Sequence, residues 1–241
     1  MSKCDMEAVL PTSSLSSFSV AKERARDKVY YDHLQTFYCN CSFIPKGYSA
    51  GVIDPEECGY EVRKSETRGE RLEWEHVMPA ATFGNYRDCW VNGDPDCARK
   101  GRACCGKVDE QFGIAERDLH NLVPSVGELN GDRKDYPFGI IEGEPREYGK
   151  CDFEVQYGEH AKAEPTEAVR GDIARIWLYM QKTYDAPISE EELQILREWH
   201  FADPVSDWEI ERDGRICEIQ GNSNPFISGI TKVEYAVEEG L

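Results

Sequence analysis

The chain has 241 residues, and its 28 Lys and Arg against 46 Asp and Glu give a formal net charge of −18. A hydrophobic content of 40% with 11% aromatic residues supports a substantial core, so global disorder is excluded and one large domain is favoured. No run approaches the roughly 18 to 20 consecutive apolar residues of a membrane-spanning helix, and the negative charge, taken alone, argues against a nucleic-acid partner because phosphate binding normally leaves a basic footprint.

The first predicted element is a helix near the start of the chain. Residues 1–16 are rich in Ser and small residues and are predicted to form a flexible leader, without the basic and apolar regions of a secretory signal peptide. From Ser17, apolar residues recur at three- and four-residue spacing, which predicts an amphipathic helix to about Tyr31. These residues are Phe18, Ala21, Ala25 and Val29.

Ten cysteines are dispersed along the chain without the paired C-x2-C spacing of a zinc knuckle. They are Cys4, Cys39, Cys41, Cys58, Cys89, Cys97, Cys104, Cys105, Cys151 and Cys217. Their even number favours disulfides, and hence an oxidising compartment such as the periplasm or the exterior. The sequence does not determine which cysteines pair. Residues 37–60 hold three of them and several Gly and Pro, which predicts short strands and turns pinned by disulfides.

A strand is predicted over Arg71–Val77, ended by Pro79. It places Glu75 beside His76, and adjacent strand residues face opposite sides, so the two can share a site only where the strand bends or ends. An isolated pair of this kind is more often a surface carboxylate beside a half-buried histidine. Residues 84–114 follow with four cysteines and little periodicity, which predicts a long disulfide-stapled loop with at most a short strand or hairpin.

The segment over residues 116–133 mixes polar groups with apolar residues at helical spacing, which predicts a helix with His120 and Asn121 in its first turns. The apolar positions are Leu119, Val123, Val126 and Leu129. Asn is a mediocre helix former and needs a reason to be there. Its amide oxygen is a neutral hard ligand that suits Mg²⁺ together with a carboxylate, and the alternative is a capping or turn Asn.

Two further helices are predicted in the C-terminal half, as core scaffold. One follows Pro165 and carries an apolar stripe over Val169–Tyr184. The other begins at Ser189, which makes a capping box with Glu192. We find no repeat and no Gly-rich phosphate loop, and the simplest organisation is a single mixed α+β domain over residues 17–241.

Two motifs, in this order, resemble those of a known family. Residues 71–80 read R-L-E-W-E-H-V-M-P-A, and residues 118–133 read D-L-H-N-L-V-P-S-V-G-E-L-N-G-D-R. Shorter similar motifs lie at residues 17–22, 36–39, 58–64, 171–175 and 220–226. The chain therefore resembles, over most of its length, the endonuclease I family of bacterial periplasmic and secreted nucleases, which have a ββα-metal (His-Me finger) active site.

The resemblance implies a sequence-nonspecific endonuclease that hydrolyses double- and single-stranded DNA, and also RNA, to leave 5′-phosphate ends. It implies that His76 is the general base and that Glu75 and Asn121 bind one divalent metal, normally Mg²⁺, with Mn²⁺ or Ca²⁺ as substitutes. A neutral imidazole can take a proton from water, provided that its other nitrogen donates to a backbone carbonyl. The implied protein is a monomer of the periplasm or the exterior, with no membrane partner.

One stretch departs from the family pattern. In the family, an Arg in a Gly-Gly-Arg-like turn after a Cys-Trp pair contacts the scissile phosphate, whereas here an acidic turn follows Cys89 and Trp90. Arg99 or Arg102 is the candidate for this role, because a guanidinium is the natural partner of a phosphate, and the alternative for each is a solvated loop residue. Further candidates for substrate-binding or supporting contacts are Arg63, Arg71, Asn130 and Arg133.

Two other readings of the same residues are a catalytically silent binding relative and a zinc site of His76, His120 and a carboxylate. The intact Glu75, His76 and Asn121 argue against the silent relative. The charge is unevenly placed, since residues 61–135 carry a balance of only −3 and the rest of the chain carries −15. We expect such an acidic scaffold to tolerate or prefer salt, which screens its repulsion of DNA.

Overall fold

Ser17 starts the first helix as predicted, because its hydroxyl accepts a hydrogen bond from the Val20 N–H (3.2 Å) and caps α1 (Phe18–Arg24). A π-helical turn, Ala25–Val29, continues the helix close to its predicted end. The computed structural model describes residues 10–11, 15–47, 50–143 and 145–229. The predicted leader, residues 1–16, lies largely outside the described residues.

The cysteine-rich stretch after this helix forms short elements held by disulfides, as predicted. Strands β1 (Phe43–Lys46) and β2 (Ala50–Ile53) pair antiparallel and are followed by helix α2 (Pro55–Cys58). Cys41 bonds to Cys58 across this unit, and Cys39 bonds to the distant Cys151. The stretch is thereby tied both to itself and to the C-terminal half.

After helix α3 (Glu66–Gly69), strands β3 (Leu72–His76) and β4 (Leu122–Val126) pair antiparallel, and helix α7 (Gly127–Arg133) follows β4 directly. β3 confirms the predicted strand. The helix predicted over residues 116–133 is wrong over Leu119–Val126, where a 3-10 turn and β4 replace it. Pro124 cannot donate to a helix ladder, and β4 is buried on both faces, which hides the alternation of a strand.

The segment between β3 and β4 is helical, so the predicted loop with at most a hairpin is wrong for residues 84–114. It contains α4 (Asp88–Val91), α5 (Arg102–Val108) and α6 (Glu110–Glu116). Each helix is four to seven residues long, which is too short to show periodicity in the sequence. The predicted stapling is confirmed, because disulfides join Cys89 to Cys105 and Cys97 to Cys104.

The C-terminal half packs helices against the β3–β4 pair. A third antiparallel pair, β5 (Phe153–Gln156) and β6 (Lys162–Pro165), leads into α8 (Arg170–Tyr184), α9 (Glu190–Ala202), α10 (Asp207–Gln220) and α11 (Pro225–Ser228). The predicted capping box of Ser189 and Glu192 is present. In α8, the Trp177 indole donates to the Val77 carbonyl (3.2 Å) just past β3. No helix among the described residues is long and apolar enough to cross a membrane.

Candidate active site

A cavity of about 380 Å³ opens where β3 ends, between the stapled helices and α7. Its walls include Glu75, His76, Trp90, Arg102, Asn130 and Lys134. The structure thus brings together four of the site residues predicted from sequence, namely Glu75, His76, Arg102 and Asn130. They come from three separate parts of the chain, joined by the β3–β4 pairing and by the stapled segment.

Glu75 lies almost fully buried at the cavity wall, with one carboxylate oxygen unpartnered. Burial raises the pKa of this carboxyl group, and the charge of Arg133 opposes the shift. Oε1 accepts hydrogen bonds from the Tyr38 hydroxyl (3.1 Å) and from Arg133 Nη1 (3.3 Å). Oε2 is buried and accepts no hydrogen bond from the described residues. Because such an oxygen is costly to leave alone, it fits a bound cation.

His76 is held in one tautomer and one orientation. Its Nε2 lies 2.8 Å from the Glu116 carbonyl, and a carbonyl only accepts, so Nε2 carries the proton and Nδ1 keeps its lone pair. The Phe18 ring stacks on the imidazole at 4.9 Å, and Phe83 meets it edge-on at 6.3 Å. Burial, reinforced by the charge of Arg102, lowers the pKa of His76 to about 3. The ring is therefore a neutral base at ordinary pH.

Asn121 and Arg133 fix the backbone that follows β3. The Asn121 side chain is fully buried; its Oδ1 accepts from the Met78 N–H (2.7 Å), and its Nδ2 donates to the Met78 carbonyl (2.9 Å). Arg133 donates to the carbonyls of His76 (3.1 Å) and Val77 (2.7 Å). These bonds end the strand geometry at His76, which explains how two adjacent residues come to share one cavity.

Asn130 differs from Asn121 because its amide oxygen is not already used in a hydrogen bond to a described residue. It lies on α7 and lines the cavity, whereas Asn121 is not among the cavity-lining residues. Its Nδ2 donates to Glu73 Oε2 (3.0 Å), which turns the amide, and its Oδ1 accepts no hydrogen bond within the described part of the chain. Two residues of the cavity wall, Glu75 and Asn130, therefore each have a side-chain oxygen that accepts no hydrogen bond within the described part of the chain.

Arg102, the first residue of α5, is the stapled segment's guanidinium on the cavity wall. Its Nε donates to Glu116 Oε1 (2.6 Å), and its guanidinium carbon lies 5.1 Å from the centroid of the Phe18 ring. Neither terminal amino group bonds to a described residue, so the guanidinium is held in place while its terminal N–H groups remain available as donors. Arg99 is exposed in the same segment and does not line the cavity.

Comparison with known proteins agrees with this arrangement. The family model described as Endonuclease I matches residues 14–230. The chain belongs to the endonuclease I family. It is 41% identical over 211 residues to an extracellular deoxyribonuclease of Aeromonas hydrophila, covering 88% of each chain. A periplasmic deoxyribonuclease of the same species is 42% identical over 200 residues, which is 83% of this chain and 81% of that protein.

A third relative, Endonuclease-1 of Buchnera aphidicola subsp. Acyrthosiphon pisum, is 38% identical over 200 residues, covering 83% of this chain and 76% of the relative. Because the chain belongs to this family, the protein is a nuclease. The fold agrees, because β3 and α7 carry cavity residues and β4 joins them, pairing with β3 and leading directly into α7. The resemblance seen in the sequence motifs is confirmed.

Besides Asn121, Arg99 and Arg133, two more predicted site residues of this nuclease, Arg63 and Arg71, lie outside the cavity wall. Arg63 pairs with the buried Asp132 (2.9 Å) and donates to the Tyr157 hydroxyl (2.6 Å). Arg71 pairs with Glu73 through Nε at 3.1 Å. Arg71 thus acts on the cavity only indirectly, since Glu73 in turn orients Asn130.

Sequence reasoning missed three residues of the site. Phe18 stacks on His76, Tyr38 donates to Glu75, and Lys134 lines the cavity. The segments that carry Phe18 and Tyr38 are among the short family motifs, so a signal existed. A single sequence does not show, however, that Phe18 lies against His76 or that Tyr38 lies against Glu75.

The zinc site of His76, His120 and a carboxylate has no counterpart in the described residues. No group of three or more His, Cys, Asp and Glu side chains there could hold a metal ion. His120 is fully buried, with Nε2 3.3 Å from the Asn222 carbonyl and Nδ1 3.7 Å from Asp213 Oδ1. It belongs to the core beneath α10 and not to the cavity.

Proposed function

We propose that this protein is a metal-dependent, sequence-nonspecific endonuclease that hydrolyses DNA, and also RNA, leaving 5′-phosphate ends. The observation that carries the proposal is the state of His76. Its Nε2 proton is committed to the Glu116 carbonyl, so Nδ1 is the atom that can take a proton from water. The deoxyribonuclease names of the relatives support DNA as the substrate.

We propose that Glu75 and Asn130 hold the metal, normally Mg²⁺, with Mn²⁺ or Ca²⁺ able to replace it. Hard divalent cations take carboxylate and amide oxygens, and these two side chains each offer an oxygen that accepts no hydrogen bond within the described residues. The amide of Asn121, the ligand expected from sequence, is instead used twice by Met78. When bound, such an ion stabilises charge on the phosphate and on the departing 3′ oxygen.

The proposed roles of the protein's own groups follow from their fixed positions. Tyr38 and Arg133 hold Glu75 through Oε1 and leave Oε2 for the cation. Phe18 and the Glu116 carbonyl keep the His76 ring from turning, so the base is preorganised. Arg102 offers its terminal amino groups to the phosphate that is cleaved, where a planar fork matches two oxygens.

Backbone contacts of this kind read phosphate and sugar but no base sequence, which supports nonspecific cleavage of single and double strands; we propose that the enzyme acts as a monomer. We propose that the protein acts in the periplasm or outside the cell. Four disulfides between described residues support an oxidising compartment, as do the extracellular and periplasmic names of the relatives.

The central test is plasmid nicking by the purified protein. We expect nicks with Mg²⁺, none with EDTA, and a loss of about 10²- to 10⁴-fold in rate for His76→Ala, with 5′-phosphates detected by ligation of the products. Nicking that persists at the wild-type rate in EDTA and in His76→Ala would refute the mechanism. A well-folded protein that binds DNA but never cleaves it would favour the silent relative.

The acidic scaffold gives the enzyme a testable dependence on salt. With −15 of its charge outside residues 61–135, the protein repels DNA most strongly at low ionic strength. We propose that its rate is maintained or rises as salt is added above 50 mM. Ordinary loss of phosphate contacts predicts the opposite, a steep and monotonic fall, which a series of initial rates against NaCl would reveal.

A further inference from the structure

A strip of two neighbouring aromatic rings with a cation at each end runs along the surface away from the cavity. We call it the Lys134 strip; it consists of Lys134, Tyr136, Tyr157 and Arg63. The Lys134 Nζ lies 5.2 Å from the Tyr136 ring centroid, Tyr136 meets Tyr157 edge-on at 6.3 Å, and the Arg63 guanidinium lies 5.1 Å from the Tyr157 ring centroid. Because Lys134 also lines the cavity, the strip begins at the proposed cleavage site.

Lys134 carries the least compensated charge of the strip. Its Nζ donates to the Tyr136 hydroxyl (3.1 Å) and forms no ion pair with a described residue. Its backbone is in an unusual conformation for a lysine, with φ 54° and ψ −124°, at the residue that ends α7. Such conformations concentrate at functional sites, and here the conformation directs the chain out of α7 at the edge of the cavity.

The far end of the strip has a different character. Arg63 is paired with Asp132 (2.9 Å) and with Glu147 (3.5 Å), so much of its charge is neutralised. It also donates to the Tyr157 hydroxyl (2.6 Å), and this bond fixes the ring. The Tyr157 side chain is nevertheless 41% exposed. The outer half of the strip therefore offers a fixed, partly exposed aromatic ring more than it offers charge.

We propose that the Lys134 strip binds the nucleic-acid strand where it continues out of the cavity, with Lys134 on a backbone phosphate and Tyr157 stacked on a base. This inference rests on the proposed nuclease function and adds a substrate preference to it. A cationic path with aromatic platforms is how proteins bind single strands without reading sequence. The faces of paired bases are covered in a duplex, so the strip favours substrates with an unpaired segment beside the cleaved bond.

The test is the binding of labelled oligonucleotides, measured by fluorescence anisotropy in EDTA in a His76→Ala background. On a single strand, Tyr157→Ala should raise Kd about fivefold or more, whereas Tyr157→Phe, which keeps the ring, should bind like the parent. Lys134→Ala should lower the slope of log Kd against log salt by about 0.7, the value for one phosphate contact on a single strand, and Lys134→Arg should restore it. On the matching duplex, Tyr157→Ala should bind like the parent.

The matched control is Tyr31→Ala, because Tyr31 is exposed and lies under the Arg215 guanidinium at 4.5 Å but does not line the cavity. A Tyr157→Ala effect no larger than that of Tyr31→Ala, or one equally large on duplex, overturns the stacking proposal. An unchanged salt slope in Lys134→Ala overturns the phosphate contact. If the wild-type enzyme cleaves and these variants bind normally, the strip alone is refuted; if the wild-type protein never cleaves, the proposed function fails.

Discussion

The two sides of the cavity are held together by different means. On the side formed by β3, β4 and α7, the position of Glu75 and His76 depends on buried hydrogen bonds that Asn121 exchanges with Met78 and that Arg133 donates. Each member of such a network satisfies others, so removing one leaves its partners buried without bonds. Geometry and stability are therefore coupled on this side.

The opposite side depends on covalent links. Helices α4, α5 and α6 are short, and the disulfides of this segment enclose the turn that precedes Arg102. A disulfide acts mainly by restricting the unfolded chain, and Arg102 itself is partly exposed. Here the position of a functional group can be lost at little cost to the rest of the fold. The comparison teaches that the proposed base, His76, and the proposed phosphate contact, Arg102, can be disabled separately, and four sets of variants test this.

The largest expected effect on stability is that of Arg133→Met. The change leaves the Glu75 carboxylate without its buried cation and the carbonyls after β3 without donors, and breaking such a buried pair costs about 3–5 kcal/mol. Urea unfolding should show the loss. The matched variant Arg102→Met should lose about 1 kcal/mol or less, because its pair with Glu116 is partly exposed. Equal losses of unfolding free energy in the two variants would show that stability and geometry are not coupled differently on the two sides of the cavity.

The next effect concerns the covalent side. Replacing Cys97 and Cys104 by Ser together should cost about 2–3 kcal/mol by the loop-entropy argument. It should also lower kcat/KM, because Arg102 is no longer held. Adding Arg102→Ala to the double variant should then lower kcat/KM by less than Arg102→Ala does in the wild type. Full additivity in the measured rates would show that the disulfide does not position Arg102.

The two asparagines provide an intermediate test. Asn121→Ala should destabilise the fold by about 1–3 kcal/mol, because the Met78 N–H and carbonyl lose buried partners. Asn130→Ala should leave the melting temperature nearly unchanged and raise the Mg²⁺ concentration needed for half-maximal cleavage. Thermal melts and metal titrations of both variants distinguish the two asparagines. If Asn121→Ala raised the Mg²⁺ requirement and Asn130→Ala only lowered the melting temperature, Asn121 would be the better candidate for the ligand.

The smallest effect is a pH dependence on the covalent side. Burial raises the pKa of Asp109, but the Phe112 N–H and the Arg87 guanidinium more than offset this and lower it below its usual value. A carboxyl group with a lowered folded pKa stabilises the fold above its unfolded pKa of about 3.9 and loses that contribution as the pH falls through the folded value.

Asp109→Asn keeps the cap of α6 and removes the charge, so it should cost about 0.5–1 kcal/mol at neutral pH. The difference from wild type should shrink below about pH 4. Unfolding free energies measured between neutral and acid pH test this, with Asp88→Asn as the control because Asp88 makes no ion pair among the described residues. A difference that grows in acid would contradict the sign of the shift.

Local signals predicted much of the fold. The helix start at Ser17, the Ser189 capping box, β3 and α8 were predictable because each depends on residues that are close together in the sequence. The short helices of the stapled segment were not, because their stability comes from disulfides whose pairing no spacing reveals. β4 was missed because a strand buried on both faces has no alternation, although Pro124 argued against a helix.

The candidate site shows the same division. Glu75 and His76 were predictable from one motif, since they are adjacent in sequence. The choice between Asn121 and Asn130 was not, because it depends on which amide the backbone of Met78 already uses. Tyr38 and Phe18 reach the site from segments far away in the chain, and their roles follow only from tertiary packing.

The register of the β3–β4 pair also limits how the gene can change in length. Leu72 pairs with Val126 and His76 with Leu122, and Glu75 and His76 are the last residues of that ladder. Inserting or deleting one codon within the strand would turn every following side chain to the opposite face, which would move Glu75 and His76 out of their places at the cavity. The exposed turn between Asn92 and Gly101 has no such ladder, so insertions and deletions should accumulate there and not in β3.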